Sequence, residues 1–180
     1  AELTTPNVEA ATAEWTDTYY TNSVTSNNVR AGPSGDPGNQ DEIFTKFWMA
    51  IAENPSSITG ITITYEAQYS AAGTGTMYAW NTATSTWTTV GATLAFAAAT
   101  DNTMTRTIST TPGNYVSGGQ MIWGVYISTR STCSVDFVQV SVDYTEPIIY
   151  SLEHRWRTEN VPAGADVMKL YVTGWTSGGD

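Results

Sequence analysis

Cysteine and histidine are almost missing from this chain, with one of each in 180 residues. A lone Cys133 forms no intrachain disulfide, and within "STCSVDFVQVSV" it reads as a small buried hydrophobe. One histidine and one cysteine cannot furnish a zinc site, and nucleophilic catalysis lacks a base other than His154, which stands among the charges of "SLEHRWR". Positive charge is equally scarce. Seven Lys and Arg face seventeen Asp and Glu, and the formal net charge of -10 repels phosphate backbones and anionic head groups, so neither nucleic-acid binding nor membrane insertion is expected. No apolar run approaches the ~18 residues that span a bilayer. There is no Asn-x-Ser/Thr sequon and no Gly-rich phosphate loop.

What is present is rich in Thr, Ser, Ala, Val and Tyr, with 12% aromatic residues, a composition that fits pleated surfaces better than helices. Together with the acidic balance and the opening "AELTTP", which looks like a freshly processed terminus, it leads us to expect an exported, extracellular or cell-surface protein. Alternating segments punctuated by Gly, Pro and Asn predict strands over 14–20, 22–31, 43–52, 58–70, 75–80, 86–96, 103–110, 119–129 and 133–144, with a second set at 148–157 and 166–175. In "ITGITITYEAQYS", Ile61, Ile63, Tyr65, Ala67 and Tyr69 share one side. Met121, Trp123, Val125 and Ile127 do the same in "GQMIWGVYIST". "SVDFVQVSVDY" is apolar on both sides at Val135, Phe137 and Val138 before settling on Val138, Val140, Val142 and Tyr144. The fold expected is an all-β antiparallel sandwich over 15–146, preceded by an arm over 1–14 and followed by an additional strand pair over 147–180.

That strand pair looks like a repeat. The segment from Ile43 to Gly73 aligns without a gap on Tyr150 to Asp180, placing Pro55 on Pro162 and Ile61, Ile63 and Tyr65 on Met168, Leu170 and Val172. Two strands alone cannot bury their apolar faces, so they call for a partner. The expected role is therefore a non-catalytic structural subunit that self-assembles through strand exchange or edge pairing into a homopolymeric filament or array. Its contacts would be Ile148, Tyr150, Leu152, Trp156, Met168, Leu170, Val172 and Trp175.

"SNNVRAG", "PSSITGITITYEAQYS", "MYAWNTATSTWTTV", "TPGNYVSGGQMIWGVYIST" and "SVDFVQVSVDYT" together resemble the jelly-roll-type β-sandwich modules of secreted and surface proteins of bacteria and archaea and of phage structural proteins. The resemblance covers roughly 15–145 and implies a non-catalytic building block akin in fold to carbohydrate-binding modules. An alternative function is therefore polysaccharide binding or adhesion, with Tyr78, Trp80 and Trp87 as a platform for sugar faces; the structural alternative is a cross-strand aromatic pair that steadies a hairpin. No cofactor is expected beyond Ca²⁺, for which the loop "GPSGDPGNQDE" offers oxygens at Asp36, Asn39, Asp41 and Glu42. No pair of carboxylates announces a glycosidase. Asp136 interrupts an apolar run, and it and Asp143 read as surface or hydrogen-bonded structural acids.

Overall fold

The computed structural model describes residues 16–34, 43–128 and 131–146. The 1–14 arm, the 147–180 strand pair with all its assembly residues, and Asp36, Asn39, Asp41 and Glu42 lie outside the described residues.

Strand β1 runs Ala31–Ser34, β2 Ile43–Ala50, β3 Ile58–Tyr69, β4 Gly73–Asn81, β5 Thr86–Thr89, β6 Leu94–Phe96, β7 Asp101–Ile108, β8 Val116–Ser117, β9 Gln120–Ile127 and β10 Cys133–Tyr144. They form two antiparallel sheets. One has the order β1-β10-β3-β7; the other runs β2-β9-β4-β5, with β6 on β4 and β8 on β9. The inner faces follow the alternation of the sequence: Ile61, Ile63, Tyr65, Ala67 and Tyr69 of β3 meet Met77 and Ala79 of β4 and Met121, Trp123, Val125 and Ile127 of β9. Phe47 stacks on Trp123 and Tyr69 on Phe96, each pair 4.6 Å between centroids. Burial of these large side chains supplies the main stabilisation, at about 25 cal/mol per Å² of apolar surface.

The two apolar phases of β10 have a structural cause. Val135 pairs with Ala67 but Phe137 with Glu66, so Asp136 is an extra residue in a β-bulge, and the inward side passes from Cys133 and Val135 to Val138, Val140 and Val142. Asp136 is only 1% exposed and, among the described residues, neither carboxylate oxygen has a hydrogen-bond partner. This corrects the expectation of a surface-facing or hydrogen-bonded acid.

Three further expectations need correction. Where a strand is expected over 14–20, the described residues form a short helix α1, Asp17–Asn22, with Thr16 at the N-cap position and Asp17 in the first turn, where a carboxylate suits the helix dipole. Residues 22–31 are not a strand either: an isolated bridge from Val24 to Phe137 is followed by irregular chain up to β1. The segment 86–96 divides into β5 and β6 because Gly91 adopts φ +70 between them. Strands β2 and β3, the first copy in the proposed repeat, lie in different sheets, and the second copy lies outside the described residues.

Candidate functional site

Register defines what β2, β9, β4 and β5 turn away from the core. Because Met77, Ala79, Trp123 and Phe47 point inward, alternation sends Tyr78 and Trp80, Ile122 and Tyr126, and Phe44, Lys46 and Trp48 outward. Trp87 stands directly opposite Trp80 and joins the same face.

The rings meet. Trp80 and Trp87 are edge to face at 5.6 Å, and Phe44 lies 5.1 Å from Trp87, 6.3 Å from Tyr78 and 6.4 Å from Tyr126. Tyr78 and Tyr126 are 6.5 Å apart. All five are half-buried, held by one another with part of each surface open. Gly124 makes the arrangement possible: a Cβ there would stand 2.6 Å from Phe44 Cε2, so the phenyl ring lies across the bare backbone of β9 towards Tyr78.

The hairpin carrying Trp80 and Trp87 is fixed at its tip. Asn81 Oδ1 accepts hydrogen bonds from the amides of Ala83 at 3.0 Å and Thr84 at 3.2 Å, and Ser85 takes φ 54. The amide and hydroxyl of Thr82 both donate to the carbonyl of Asn114 at 2.8 Å, tying the hairpin to the 3-10 turn Pro112–Tyr115. The platform is thus preorganised.

Its electrostatics are plain. Strands β2, β9, β4 and β5 contain no Asp or Glu, although the chain has seventeen, and their single charge is Lys46, whose Nζ is 5.5 Å from the Phe44 ring centroid. Hydroxyls lie beside the rings along β4 and β5: Thr76, opposite Tyr126, shares a hydrogen bond with Thr93 at 2.9 Å, Thr74 shares one with Ser128 at 2.9 Å, and Thr89 stands opposite Tyr78. An aromatic centre with a hydroxyl rim and almost no charge suits a neutral amphipathic ligand.

Of the residues picked out in the sequence, the structure brings Tyr78, Trp80 and Trp87 together and adds Phe44 and Tyr126, which sequence reasoning missed. Each is an outward aromatic of a strand whose other face is core, and strand order alone brings them to the hairpin. Asp143 is exposed at the end of β10, with its carboxylate beside Gly60 on β3. Among the described residues no group of three or more His, Cys, Asp or Glu is placed to hold a metal ion. No described helix is long and apolar enough to cross a membrane.

The buried polar group behind the platform belongs to the core. Tyr65 Oη and Cys133 Sγ share a hydrogen bond at 3.2 Å, and Tyr69 Oη donates to Tyr65 Oη at 3.1 Å. Burial pushes the Cys133 thiol up to about 11 and both phenols well above their ordinary range, so all three remain neutral.

No family model matches the chain, and no curated protein matches it. Solved structures do. One described as "CBM4 structure and function" is 19% identical and aligns over 63% of this chain and 67% of its own, with a TM-score of 0.40. The CBM22-1 xylan-binding domain of Xyn10C from Paenibacillus barcinonensis is 9% identical over 65% of this chain and 82% of its own, TM-score 0.41. A family 16 carbohydrate-binding module is 11% identical over 61% of this chain and 82% of its own, TM-score 0.34. Each of the three is similar to this chain over part of its length only.

Proposed function

We propose that this protein is a non-catalytic carbohydrate-binding module that works outside the cell and grips a neutral polysaccharide on the outer face of the β2-β9-β4-β5 sheet. The observation that carries the reading is the contiguous set of Phe44, Tyr78, Trp80, Trp87 and Tyr126 on strands free of acidic residues. The C–H faces of pyranose rings pack on aromatic rings while their hydroxyls reach the threonine rim. Lys46 is the one charged residue on these four strands, which favours neutral over polyanionic chains.

Retention on a panel of insoluble and soluble polysaccharides tests this. A neutral glycan should retain the wild-type chain, and the double variant Trp80→Ala, Trp87→Ala should lose at least ~10-fold in affinity, about 1.4 kcal/mol, with its fold intact by circular dichroism. Equal retention of both proteins would refute the platform. The assembly reading has no support among the described residues: every contact assigned to it lies outside them.

A further inference from the structure

The outward residues of β2, β9, β4 and β5 fall into levels that run across the strands, and the levels differ in chemistry. At the first, Phe44 stands opposite Tyr126 and Tyr126 opposite Thr76. At the second, Lys46 stands opposite Gly124, Gly124 opposite Tyr78 and Tyr78 opposite Thr89, so a charge, a bare backbone, a ring and a hydroxyl follow one another. The third is apolar on all four strands. Trp48 stands opposite Ile122; Trp80 follows Ala79, which pairs with Trp123, the neighbour of Ile122; and Trp80 stands opposite Trp87. Trp80 and Trp87 belong to the aromatic platform, and Trp48 and Ile122 extend it to β2, the last strand of the sheet on that side among the described residues.

Trp48 and Ile122 are both half-buried. The Trp48 Nε1 is buried and has no hydrogen-bond partner among the described residues, so whatever part of the indole solvent reaches is carbon. That is the surface on which the C–H face of a sugar packs.

Spacing decides the direction of the ligand. Neighbouring strands lie about 4.8 Å apart, close to the length of one pyranose unit in an extended chain, whereas successive outward residues along a strand are about 7 Å apart. A chain that crosses the strands at the third level meets one apolar side chain per sugar. Laid along β2, it would meet the Lys46 ammonium between Phe44 and Trp48; laid along β9, it would find no side chain at Gly124 between Tyr126 and Ile122. Strand β4 offers Tyr78 and Trp80 in succession, at the longer spacing.

We propose that Trp48 is a further ligand-binding residue of this face, and that the ligand is an internal stretch of three or more sugar units lying across the strands over Trp48, Ile122, Trp80 and Trp87. The inference rests on the carbohydrate-binding reading of the aromatic face and adds to it a direction and a minimum length. Four strands make three inter-strand steps, about 14 Å, which a single sugar does not cover. Strands β2 and β5 end the path β2-β9-β4-β5 among the described residues, so no neighbouring strand walls off either end of the row and a chain can run past both.

The test is isothermal titration of the full chain with cello-, xylo- and manno-oligosaccharides of two to six units. In at least one series the association constant is expected to climb with each unit up to three or four and then level off. Trp48→Ala should lower it at least five-fold for the tetramer, and Trp48→Phe should restore part of the loss. A plateau already at two units, or tetramer binding by Trp48→Ala equal to that of the wild type, would overturn the proposal. The double variant Trp80→Ala, Trp87→Ala separates this failure from that of the platform. If it loses the tetramer while Trp48→Ala keeps it, the aromatic face binds glycan without Trp48 and only the crossing path is refuted; a wild-type chain that binds no member of any series refutes both. Should Trp48→Ala fail to fold, the length dependence of the wild-type chain decides.

Discussion

Phe44 and Trp87 bring their rings to 5.1 Å although β9 and β4 run between their strands. Three inter-strand spacings amount to about 14 Å of backbone separation. Closing that gap takes two bulky side chains leaning towards each other and a strand with nothing in the way. Gly124 is that opening, and it turns a cross-strand Trp pair into a platform spanning the sheet.

Gly124→Ala should therefore act at two levels. Its Cβ would stand 2.5 Å from the Thr45 carbonyl oxygen as well as 2.6 Å from Phe44 Cε2, and the first neighbour is backbone that cannot swing aside. Overpacking of this kind costs ~1–3 kcal/mol. Chemical denaturation should show that loss, and polysaccharide retention should fall with it as Phe44 is lifted. Phe44→Ala separates the two effects, since it removes the ring and leaves the backbone contact untouched. An unchanged denaturation midpoint in Gly124→Ala would show that the strands part easily and that the glycine is not required.

The ring contacts also predict coupling. Trp87 touches Phe44 and Trp80, so a double-mutant cycle between Phe44→Ala and Trp87→Ala should return an interaction energy of ~0.5–1.5 kcal/mol in stability. Additive losses would mean that the two rings sit side by side without cooperating.

Much of the sandwich was legible in the sequence because its central strands are strictly half-buried. The alternation of β3 and β9 named nearly every residue that those two strands turn to the core, and the phase slip in "SVDFVQVSV" was the bulge at Asp136, visible as apolar residues on both sides. Helix α1 was not legible: Tyr19 and Tyr20 favour strands, and six residues give too little periodicity to outweigh propensity. For the site, distance along the chain decided. Tyr78, Trp80 and Trp87 lie in one hairpin and announced themselves, whereas Phe44 and Tyr126 join them only through the order β2-β9-β4-β5, which no local pattern encodes.

Asp136 offers a sharper stability test than any surface acid. A buried carboxylate without donors is costly, and its amide counterpart of equal shape is far less so. With a divalent-cation chelator present, Asp136→Asn should raise the unfolding free energy, by about 1 kcal/mol or more. A lower stability in the variant would mean that the carboxylate is paired in solution, and the lone-acid account of the bulge would fall.

The neutral Cys133–Tyr65–Tyr69 group predicts how the fold fails in alkali. The thiol has an ordinary value of 9.0 and is held at about 11 in the folded chain. Below pH 9 both states keep the proton and the group contributes no pH dependence. Between about 9 and about 11 the unfolded chain releases a proton that the folded chain retains, so stability falls as pH rises through this window. The phenols, also raised by burial, extend the decline above their ordinary value of 10.0. Cys133→Ser replaces the titrating thiol by a hydroxyl that can still bond to Tyr65. Its stability should stay level until the tyrosines of the unfolded chain begin to ionise, delaying the onset from near pH 9 to near pH 10. Urea midpoints measured from pH 7 to 11 decide the matter: identical onsets in the two proteins would show that the thiol exchanges its proton with solvent as freely in the folded chain as in the unfolded one.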